Sequence, residues 1–374
     1  MIEPPTDDGA AGPDHLRILH LASSLRIGGL EQFVVRLAAY QRSQAQTSEI
    51  LTFRDGSLRD AARSAGLNPV VVQARSRAVR VVAAAVKMRR FRPSIIHAHN
   101  PTTLHYARIG ARVAGAALVL TDHGQGVTPG RTASESEWRS VQAIAAVSSA
   151  VAERHAGRRG SLVRVIPNGV ASSGSSLSRE AARERLGLGE ELAAIIVARI
   201  DGAKGHDTLL RALALLPPES RVLAIAAGDG ARRAEMEQLA AELALNGGRI
   251  RFLGARTDVP ELLAAGDIFV LPSLSEGMPL SVLEAMAAGL PVLASRVGGL
   301  PDLVADGETG RLLEPGDATQ LAAALQSLEA SPALRMQWGC NGRHRVERQF
   351  SFSAMADAYG RLYREALAMR SRVA

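Results

Sequence analysis

The 374-residue sequence is poor in cysteine, aromatic residues and long apolar runs, and each scarcity excludes a class of protein. With one cysteine it has no internal disulfide, and a cysteine-based zinc or iron–sulfur site would lack ligands. The longest apolar stretches, at residues 192–198 and 222–227, are far shorter than the roughly 20 residues that span a bilayer. Aromatic residues make up only 3% of the chain, and no basic–aromatic platform for stacking nucleic-acid bases is present.

Lysine is also scarce, although the chain is rich in cations. Lys87 and Lys204 are the only lysines among 44 basic residues, and the formal net charge is +7. This charge favours anionic partners such as nucleic acid, membrane headgroups or phosphorylated small molecules. Because arginine supplies almost every other cation, we expect a lysine to mark a site that needs a compact ammonium group.

The length and the 47% hydrophobic content predict two globular domains. Residues 1–14 are rich in Pro, Asp and Gly and have no apolar core, which predicts a disordered leader rather than a signal peptide. We therefore expect a cytoplasmic protein.

Short apolar runs alternate with amphipathic stretches along the whole chain. The runs predict buried strands at residues 17–21, 49–53, 69–73, 94–97, 117–121, 143–147, 163–166, 192–198, 221–227, 249–253, 267–271, 291–294 and 311–313. Helices are predicted at residues 30–40, 76–91, 102–114, 206–216, 231–245 and 280–288, and from residue 317 onward with Pro332 separating two of them. This alternation is typical of βαβ units and of a parallel sheet with helices on both faces.

The predicted fold class is α/β, with two Rossmann-like doubly wound domains. The first domain is predicted at residues 15–171, a Ser/Gly linker at 172–177 and the second domain at 178–350. The remaining residues, 351–374, are predicted to form a helix that crosses back to the first domain. Since ligands bind beyond the carboxyl ends of parallel strands, a cleft between the domains is the expected site.

The segment 273–286 follows a predicted strand and contains two acids. Gly277 permits a tight turn, and Pro279 suits the first position of a helix. A helix N-terminus after such a turn binds anions through free N–H groups. Because Glu276 and Glu284 would repel phosphate, we expect them to accept hydrogen bonds from sugar hydroxyls. The alternative is an N-cap acid and a solvated helix acid.

Arg199 and Lys204 lie five residues apart at the end of another predicted strand. A guanidinium fork and a point-charge ammonium at such a position suit a diphosphate. The alternative is a pair of surface cations, and the scarcity of lysine argues against it.

These residues belong to a set of motifs that resembles the family-4 retaining glycosyltransferases over residues 17–370. The set comprises Glu276-x7-Glu284, Arg199 with Lys204-Gly205, Gly228-Asp229-Gly230, Gly28-Gly29-Leu30-Glu31 and Ile166-Pro167-Asn168-Gly169-Val170. The resemblance implies the GT-B fold, in which the C-terminal domain binds most of the nucleotide-sugar donor and the N-terminal domain binds the acceptor.

The resemblance also implies a role for each matching residue. Arg199 and Lys204 would bind the donor diphosphate and stabilise it as leaving group. Glu276 would contact hydroxyls of the transferred sugar, and Glu284 those of the ribose. The implied catalytic set is His123, Arg199, Lys204 and Glu276, and the implied donor-binding set is Gly29, Arg199, Lys204, Glu276, Gly277, Met278, Pro279, Leu280 and Glu284. Within it, Gly29 would let the first domain approach the diphosphate, and the amides around Gly277 would hold the phosphate or hexose.

We expect no metal and no cofactor. Two fixed cations and helix N-termini can stabilise a departing diphosphate as a magnesium ion would, and the sequence has no Asp-x-Asp metal motif. Retention of the anomeric configuration is compatible with a covalent intermediate or with attack on the face from which the leaving group departs. The residues do not distinguish the two.

The expected donor is a UDP- or GDP-sugar and the expected acceptor a glycan or a lipid-linked molecule, in polysaccharide or glycoconjugate biosynthesis. Residues 75–92 form a cationic amphipathic pattern that would suit anionic lipid on the inner face of a membrane. The alternative for this segment is a solvated helix face.

Two other functions compete with this interpretation. A nucleotide-sugar 2-epimerase has a similar two-domain layout, although it should show additional acids for proton transfer. A basic nucleic-acid-binding protein is the alternative from another class. The pair His97 and His99 suggests a metal only weakly, because no third ligand is evident from the sequence. Gly228–Gly230 is interpreted as a turn, and Glu31 as a helix cap.

Overall fold

The computed structural model describes residues 15–26, 28–124, 133–158, 160–171 and 175–371. The predicted leader and residues 172–174 of the predicted linker lie outside these ranges. The chain divides into two compact units, one formed by the chain up to Ile166 together with the segment from Ala356, the other by Pro167–Met355.

The first unit contains a sheet of seven strands, and all its strand pairs are parallel. The strands are β1 (Arg17–Ala22), β2 (Thr47–Thr52), β3 (Val70–Val71), β4 (Ile95–Ala98), β5 (Ala117–Asp122), β6 (Ala143–Ala146) and β7 (Leu162–Val165). Their order across the sheet is β3-β2-β1-β4-β5-β6-β7. The helices are α1 (Gly29–Ser43), α2 (Leu58–Ser64), α3 (Arg77–Phe91), α4 (Leu104–Ala114), α5 (Glu135–Trp138) and α6 (Ser149–Glu153), with a 3-10 turn at Pro101–Thr103.

The second unit repeats this arrangement with six parallel strands. They are β8 (Leu192–Val197), β9 (Val222–Ala227), β10 (Ile250–Gly254), β11 (Ile268–Leu271), β12 (Val292–Ser295) and β13 (Gly310–Leu313), in the order β10-β9-β8-β11-β12-β13. The helices are α7 (Arg179–Arg185), α8 (His206–Ala214), α9 (Arg233–Glu242), α10 (Val259–Ala265), α11 (Leu280–Ala287), α12 (Leu300–Leu303), α13 (Ala318–Ala330) and α14 (Pro332–Gln349), with a 3-10 turn at Leu245–Gly247. The last helix, α15 (Phe352–Ser371), begins here and continues into the first unit.

Burial explains why these runs form strands. Every residue of β4, β6, β9, β11 and β12 is buried, as expected for parallel strands covered on both faces. Each sheet reverses its strand order beside its first strand, which is the doubly wound arrangement that the sequence predicts.

The last helix of the C-terminal tail, predicted from residue 351, begins at Phe352. Besides the break at Pro332, the chain is interrupted between α14 and α15. There the amide of Val170 donates to the carbonyl of Phe350, and the amide of Phe352 donates to the carbonyl of Val170. Both distances are 3.0 Å. Because these backbone groups pair outside the helix, α14 ends and α15 begins anew.

Candidate functional site

The loops that follow β8 and β11 are neighbours in the second sheet. Strand β8 pairs with β11 on one side and with β9 on the other, so the strand order reverses between β8 and β11. Open parallel sheets bind ligands at this point, beyond the carboxyl ends of the strands. The loop after β8 carries Arg199 and Lys204, and the loop after β11 carries Glu276. The topology therefore brings residues from distant parts of the sequence to one edge.

An ion pair connects the two loops. The ammonium group of Lys204 lies 2.8 Å from Oε1 of Glu276, and the two side chains are only 19% and 5% exposed. Arg199, by contrast, is 69% exposed and pairs with Asp201 of its own loop at 3.2 Å. Lys204 is thus the predicted cation that the structure places against a predicted sugar-binding acid.

Gly205 allows the Lys204 loop to approach the loop after β11. Its φ of +68° lies in the left-handed region, and a Cβ at this position would lie 1.9 Å from the carbonyl oxygen of Pro272. The amide of Leu274 donates to the carbonyl of Ala203 over 2.8 Å, which joins the same two loops. A side chain at position 205 would separate them, so the glycine fixes the position of Lys204.

The Glu276 loop is held from its other side as well. Gly298, with a φ of +54°, has its Cα so close to this loop that a Cβ would lie 1.9 Å from the carbonyl oxygen of Glu276. The amide of Gly299 donates to the carbonyl of Gly277 over 2.7 Å. Backbone contacts on two sides therefore hold the loop that presents Glu276.

Helix α11 begins directly after this loop. Pro279 is its N-cap with extended backbone rather than its first residue, so the prediction was wrong by one position, and Leu280 begins the helix. Because proline has no side-chain acceptor, it leaves the first N–H groups of α11 uncapped by its own side chain. Met278 is buried, and Glu284 is half-buried in the second turn.

Asn168 also contacts the segment before α11. It is 5% exposed, and its side-chain amide donates to the carbonyl of Met278 over 2.7 Å. Both residues lie in the second unit, which begins at Pro167. The sequence motif around Asn168 therefore supports the loop of the second sheet.

In the first unit, the predicted residues also follow strand ends. Gly29 is the first residue of α1, and Glu31 accepts a hydrogen bond from the hydroxyl of Ser24 over 3.0 Å. His123 comes directly after β5, and its ring packs edge-to-face with that of Phe33, with centroids 5.0 Å apart. Burial lowers the pKa of His123 to about 4 despite the opposing charge of Asp122, so its imidazole is neutral at pH 7.

A network of buried histidines lies behind His123. His20, His97 and His99 are completely buried, and His20 contributes the third imidazole, which the sequence analysis did not identify. Nδ1 of His20 lies 2.8 Å from Nε2 of His99, and Nε2 of His20 lies 2.8 Å from Oε1 of Gln41. Because that amide oxygen only accepts, His20 donates from Nε2, and His99 donates to His20.

The hydroxyls of α15 extend this network. Tyr363 lies 2.9 Å from Nδ1 of His97 and accepts from the amide of Gln41 over 3.1 Å. Nε2 of His97 lies 2.7 Å from the hydroxyl of Thr121, which in turn lies 3.0 Å from that of Tyr359. The network therefore fastens the C-terminal helix to the sheet of the first unit.

Within the described ranges, His20, His97 and His99 are the one group of three ligating side chains that could hold a metal ion, with ligand atoms within 4.8 Å. Five of their six ring nitrogens already have protein partners, and only Nδ1 of His99 has none. Hydrogen bonding therefore accounts for the arrangement, and the absence of a metal stays a prediction.

Comparison with known families covers most of the chain. Residues 27–173 match the family model described as Glycosyltransferase Family 4, and residues 178–345 match the model described as Glycosyl transferases group 1. The chain belongs to the group 1 glycosyltransferases. The resemblance inferred from the motifs is confirmed.

Curated relatives of this glycosyltransferase family match part of the chain. The lipopolysaccharide core biosynthesis glycosyltransferase LpsE of Rhizobium meliloti is 37% identical over 156 residues, 42% of this chain and 45% of that protein. The lipopolysaccharide glucosyltransferase WaaG of Escherichia coli is 35% identical over 181 residues, 47% of this chain and 48% of that protein. The chain thus spans about half the length of the curated relatives it matches.

A solved structure confirms the predicted fold class of two Rossmann-like parallel-sheet domains. Anabaena Alr3699/HepE in complex with UDP and glucose superimposes with a TM-score of 0.83 at 25% identity, covering 93% of this chain and 99% of that chain. No helix in the described part of the chain combines the length and apolar character needed to cross a bilayer.

Proposed function

We propose that this protein is a retaining, metal-independent glycosyltransferase that moves a hexose from a UDP- or GDP-sugar to a glycan or lipid-linked acceptor. The observation that carries the proposal is the pairing of Lys204 with Glu276 at the switch point of the second sheet. A cation for a diphosphate and an acid for sugar hydroxyls are the two groups that a nucleotide-sugar requires there. The bound UDP and glucose in the Anabaena relative support this assignment.

The residues of the site can stabilise the leaving group by themselves. Cleavage of the bond between sugar and diphosphate develops negative charge on phosphate oxygens. The ammonium of Lys204, the guanidinium of Arg199 and the N-terminus of α11 lie on loops at the carboxyl edge of one sheet and supply positive charge. The resemblance assigns His123 to the sugar, and a neutral imidazole would donate or accept a hydrogen bond there without adding charge.

Binding of a nucleotide-sugar is the first expected result. At a hundredfold excess over Kd, we expect UDP or GDP and the corresponding sugars to raise the melting temperature by about 5–10 °C, whereas ADP and ADP-glucose do not. Thermal shift with EDTA and with magnesium measures this, and unchanged shifts in EDTA would support metal independence. If none of the nucleotides shifts the melting temperature, the proposal is wrong.

Product analysis distinguishes transfer from the alternative reaction. A nucleotide-sugar 2-epimerase converts its substrate without an acceptor, so the nucleotide-sugar would change configuration at C2 when incubated alone. A retaining transferase instead releases nucleoside diphosphate and forms a product with the anomeric configuration of the donor. NMR of the reaction mixture separates these outcomes.

Helix α3 gives the structural basis for proposing a lipid surface as a partner on the inner face of the membrane. Ala84 and Met88 face the core, whereas Val79, Val82 and Val86 are 57%, 63% and 59% exposed. Because these valines are three and four residues apart, they form one stripe. Basic residues accompany the stripe on the same helix and at its ends: Arg75, Arg77, Arg80, Lys87, Arg89, Arg90 and Arg92. An apolar stripe with cationic flanks suits anionic headgroups.

Vesicle binding tests this surface. We expect the wild-type protein to sediment with phosphatidylglycerol vesicles at low salt and much less with phosphatidylcholine vesicles. A triple variant in which serine replaces Val79, Val82 and Val86 should bind about tenfold more weakly or worse, since each substitution removes apolar area that would be buried in the membrane interface.

A matched control uses exposed apolar residues elsewhere. Leu215 and Met336 are 54% and 75% exposed in the second unit, and their replacement by serine should leave vesicle binding unchanged. Absence of wild-type binding to anionic vesicles at low salt would exclude the membrane partner.

A further inference from the structure

Glu276 receives two hydrogen bonds on the same carboxylate oxygen. The ammonium of Lys204 donates to Oε1 over 2.8 Å, and the hydroxyl of Ser273 donates to Oε1 over 2.7 Å. No described residue donates to Oε2 within hydrogen-bond distance. A carboxylate has about four acceptor positions, so Oε2 keeps its full capacity for a ligand hydroxyl.

Burial and backbone contacts on both sides hold Ser273 in place. It is completely buried, and it follows Pro272 directly after β11. The contacts of Gly205 with Pro272 and of Leu274 with Ala203 hold the backbone on both sides of it. A buried hydroxyl needs a partner, and Glu276 is the acceptor that its side chain has.

The two donors to Glu276 differ in what else they do. On the proposed function, Lys204 also faces the donor diphosphate, so its hydrogen bond to Glu276 is shared with that ligand. Ser273 is completely buried, and its side chain donates to Glu276 alone among the described residues. The hydroxyl of Ser273 therefore holds the carboxylate in place when the ammonium turns toward phosphate oxygens.

We propose that Ser273 is a positioning residue that fixes Glu276 so that Oε2 is presented to a hydroxyl of the transferred sugar. This inference rests on the proposed function and adds to it that recognition of the sugar, separate from recognition of the nucleotide, depends on a buried serine. Ser273 itself does not touch the donor. It acts through the carboxylate, whose orientation would otherwise depend on Lys204.

The ratio of two affinities tests the inference. Isothermal titration of wild type and Ser273→Ala is carried out with two probe pairs, UDP with UDP-glucose and GDP with GDP-mannose. For the pair that binds wild type, we expect Ser273→Ala to weaken the nucleotide-sugar about tenfold and the nucleoside diphosphate less than twofold, because only the sugar contact depends on the held carboxylate.

Ser275 provides the matched control, since it lies two residues along the same loop and is exposed. Ser275→Ala should leave both affinities unchanged. Equal weakening of nucleotide and nucleotide-sugar in Ser273→Ala would show a merely structural role, and unchanged affinities would show no role; either result overturns the inference alone. If wild type binds neither pair, the proposed function itself fails, and this inference fails with it.

Discussion

Replacing Lys204 with alanine is expected to reduce sugar transfer by about 10²–10³-fold, the loss typical of removing one preorganised donor to a developing negative charge. The ammonium lies 2.8 Å from Glu276 on a loop whose position Gly205 fixes, so the substitution removes a positive charge that is held in place before the donor binds. Lys204→Arg should not restore activity, because the planar guanidinium is larger and is held beside a carboxylate that is 5% exposed. Release of nucleoside diphosphate from the donor selected by thermal shift measures the rate.

Lys87 is the natural control for this experiment. It is the other lysine of the chain and is exposed on α3, far along the sequence in the first unit. Lys87→Ala should transfer sugar to a soluble acceptor at the wild-type rate, and both variants should keep the wild-type melting temperature within a few degrees. Arg199→Ala is expected to reduce transfer by the same order of magnitude, since it removes the other cation assigned to the diphosphate. Near-normal turnover in Lys204→Ala or Arg199→Ala would refute the assignment of these cations to the diphosphate.

The sequence was sufficient to locate every strand of the two sheets, because buried parallel strands are continuous apolar runs bounded by polar turns. Short helices such as α2, α7 and α10 were not specified, since seven residues cover barely two turns and give little periodicity. The start of the last helix was predicted at residue 351, one residue before α15 begins, but the contact that interrupts the chain there was not predicted. It depends on hydrogen bonds to Val170, some 180 residues away, and no local pattern contains that information.

The candidate site was predictable to the extent that its residues lie at strand ends. Lys204 and Glu276 were identified by type and position, but their direct pairing follows from the order of strands in the sheet. Ser273 and His20 were not identified. A serine in a loop and one histidine in an apolar strand become informative only when the partners, 3 and 79 residues away respectively, are known in space.

Acid is expected to unfold the first unit well before the second. Burial lowers the pKa of His20 to about 4 and lowers the pKa values of His97 and His99 well below the usual 6.5, with smaller contributions from the neighbouring histidines. When the pH falls below 6.5, the unfolded chain binds protons that the folded chain does not. The free energy of unfolding therefore falls as the pH falls, until the folded pKa values are reached.

The expected loss is large compared with the stability of a domain. His123 lies in the same unit, and burial lowers its pKa to about 4 as well. The four histidines together contribute a decrease of about 5 kcal/mol between pH 7.5 and pH 5.5, and typical domains are stable by only about 5–15 kcal/mol. In the second unit, burial lowers the pKa of His206 to about 4. Among the described histidines of that unit, His206 is the one with a shifted pKa. The pH dependence of the first unit should therefore be about four times as steep as that of the second.

Each unit has its own tryptophan, which makes the difference measurable. The chain has two, Trp138 in the first unit and Trp338 in the second, so fluorescence of Trp338→Phe reports the first unit and that of Trp138→Phe the second. Urea unfolding at a series of pH values gives the slope for each.

His97→Gln should lower the slope of the first unit by about a quarter, because three histidines with lowered pKa values remain. His344→Gln, a change at an exposed position of α14, should leave the slopes of both units unchanged. Equal slopes for the two units, or a slope of the first unit that His97→Gln does not alter, would show that the histidine network takes up protons without unfolding. In that case hydrogen bonds among the imidazoles would have to stabilise a charged form inside the core, which their present arrangement of neutral donors and acceptors does not provide.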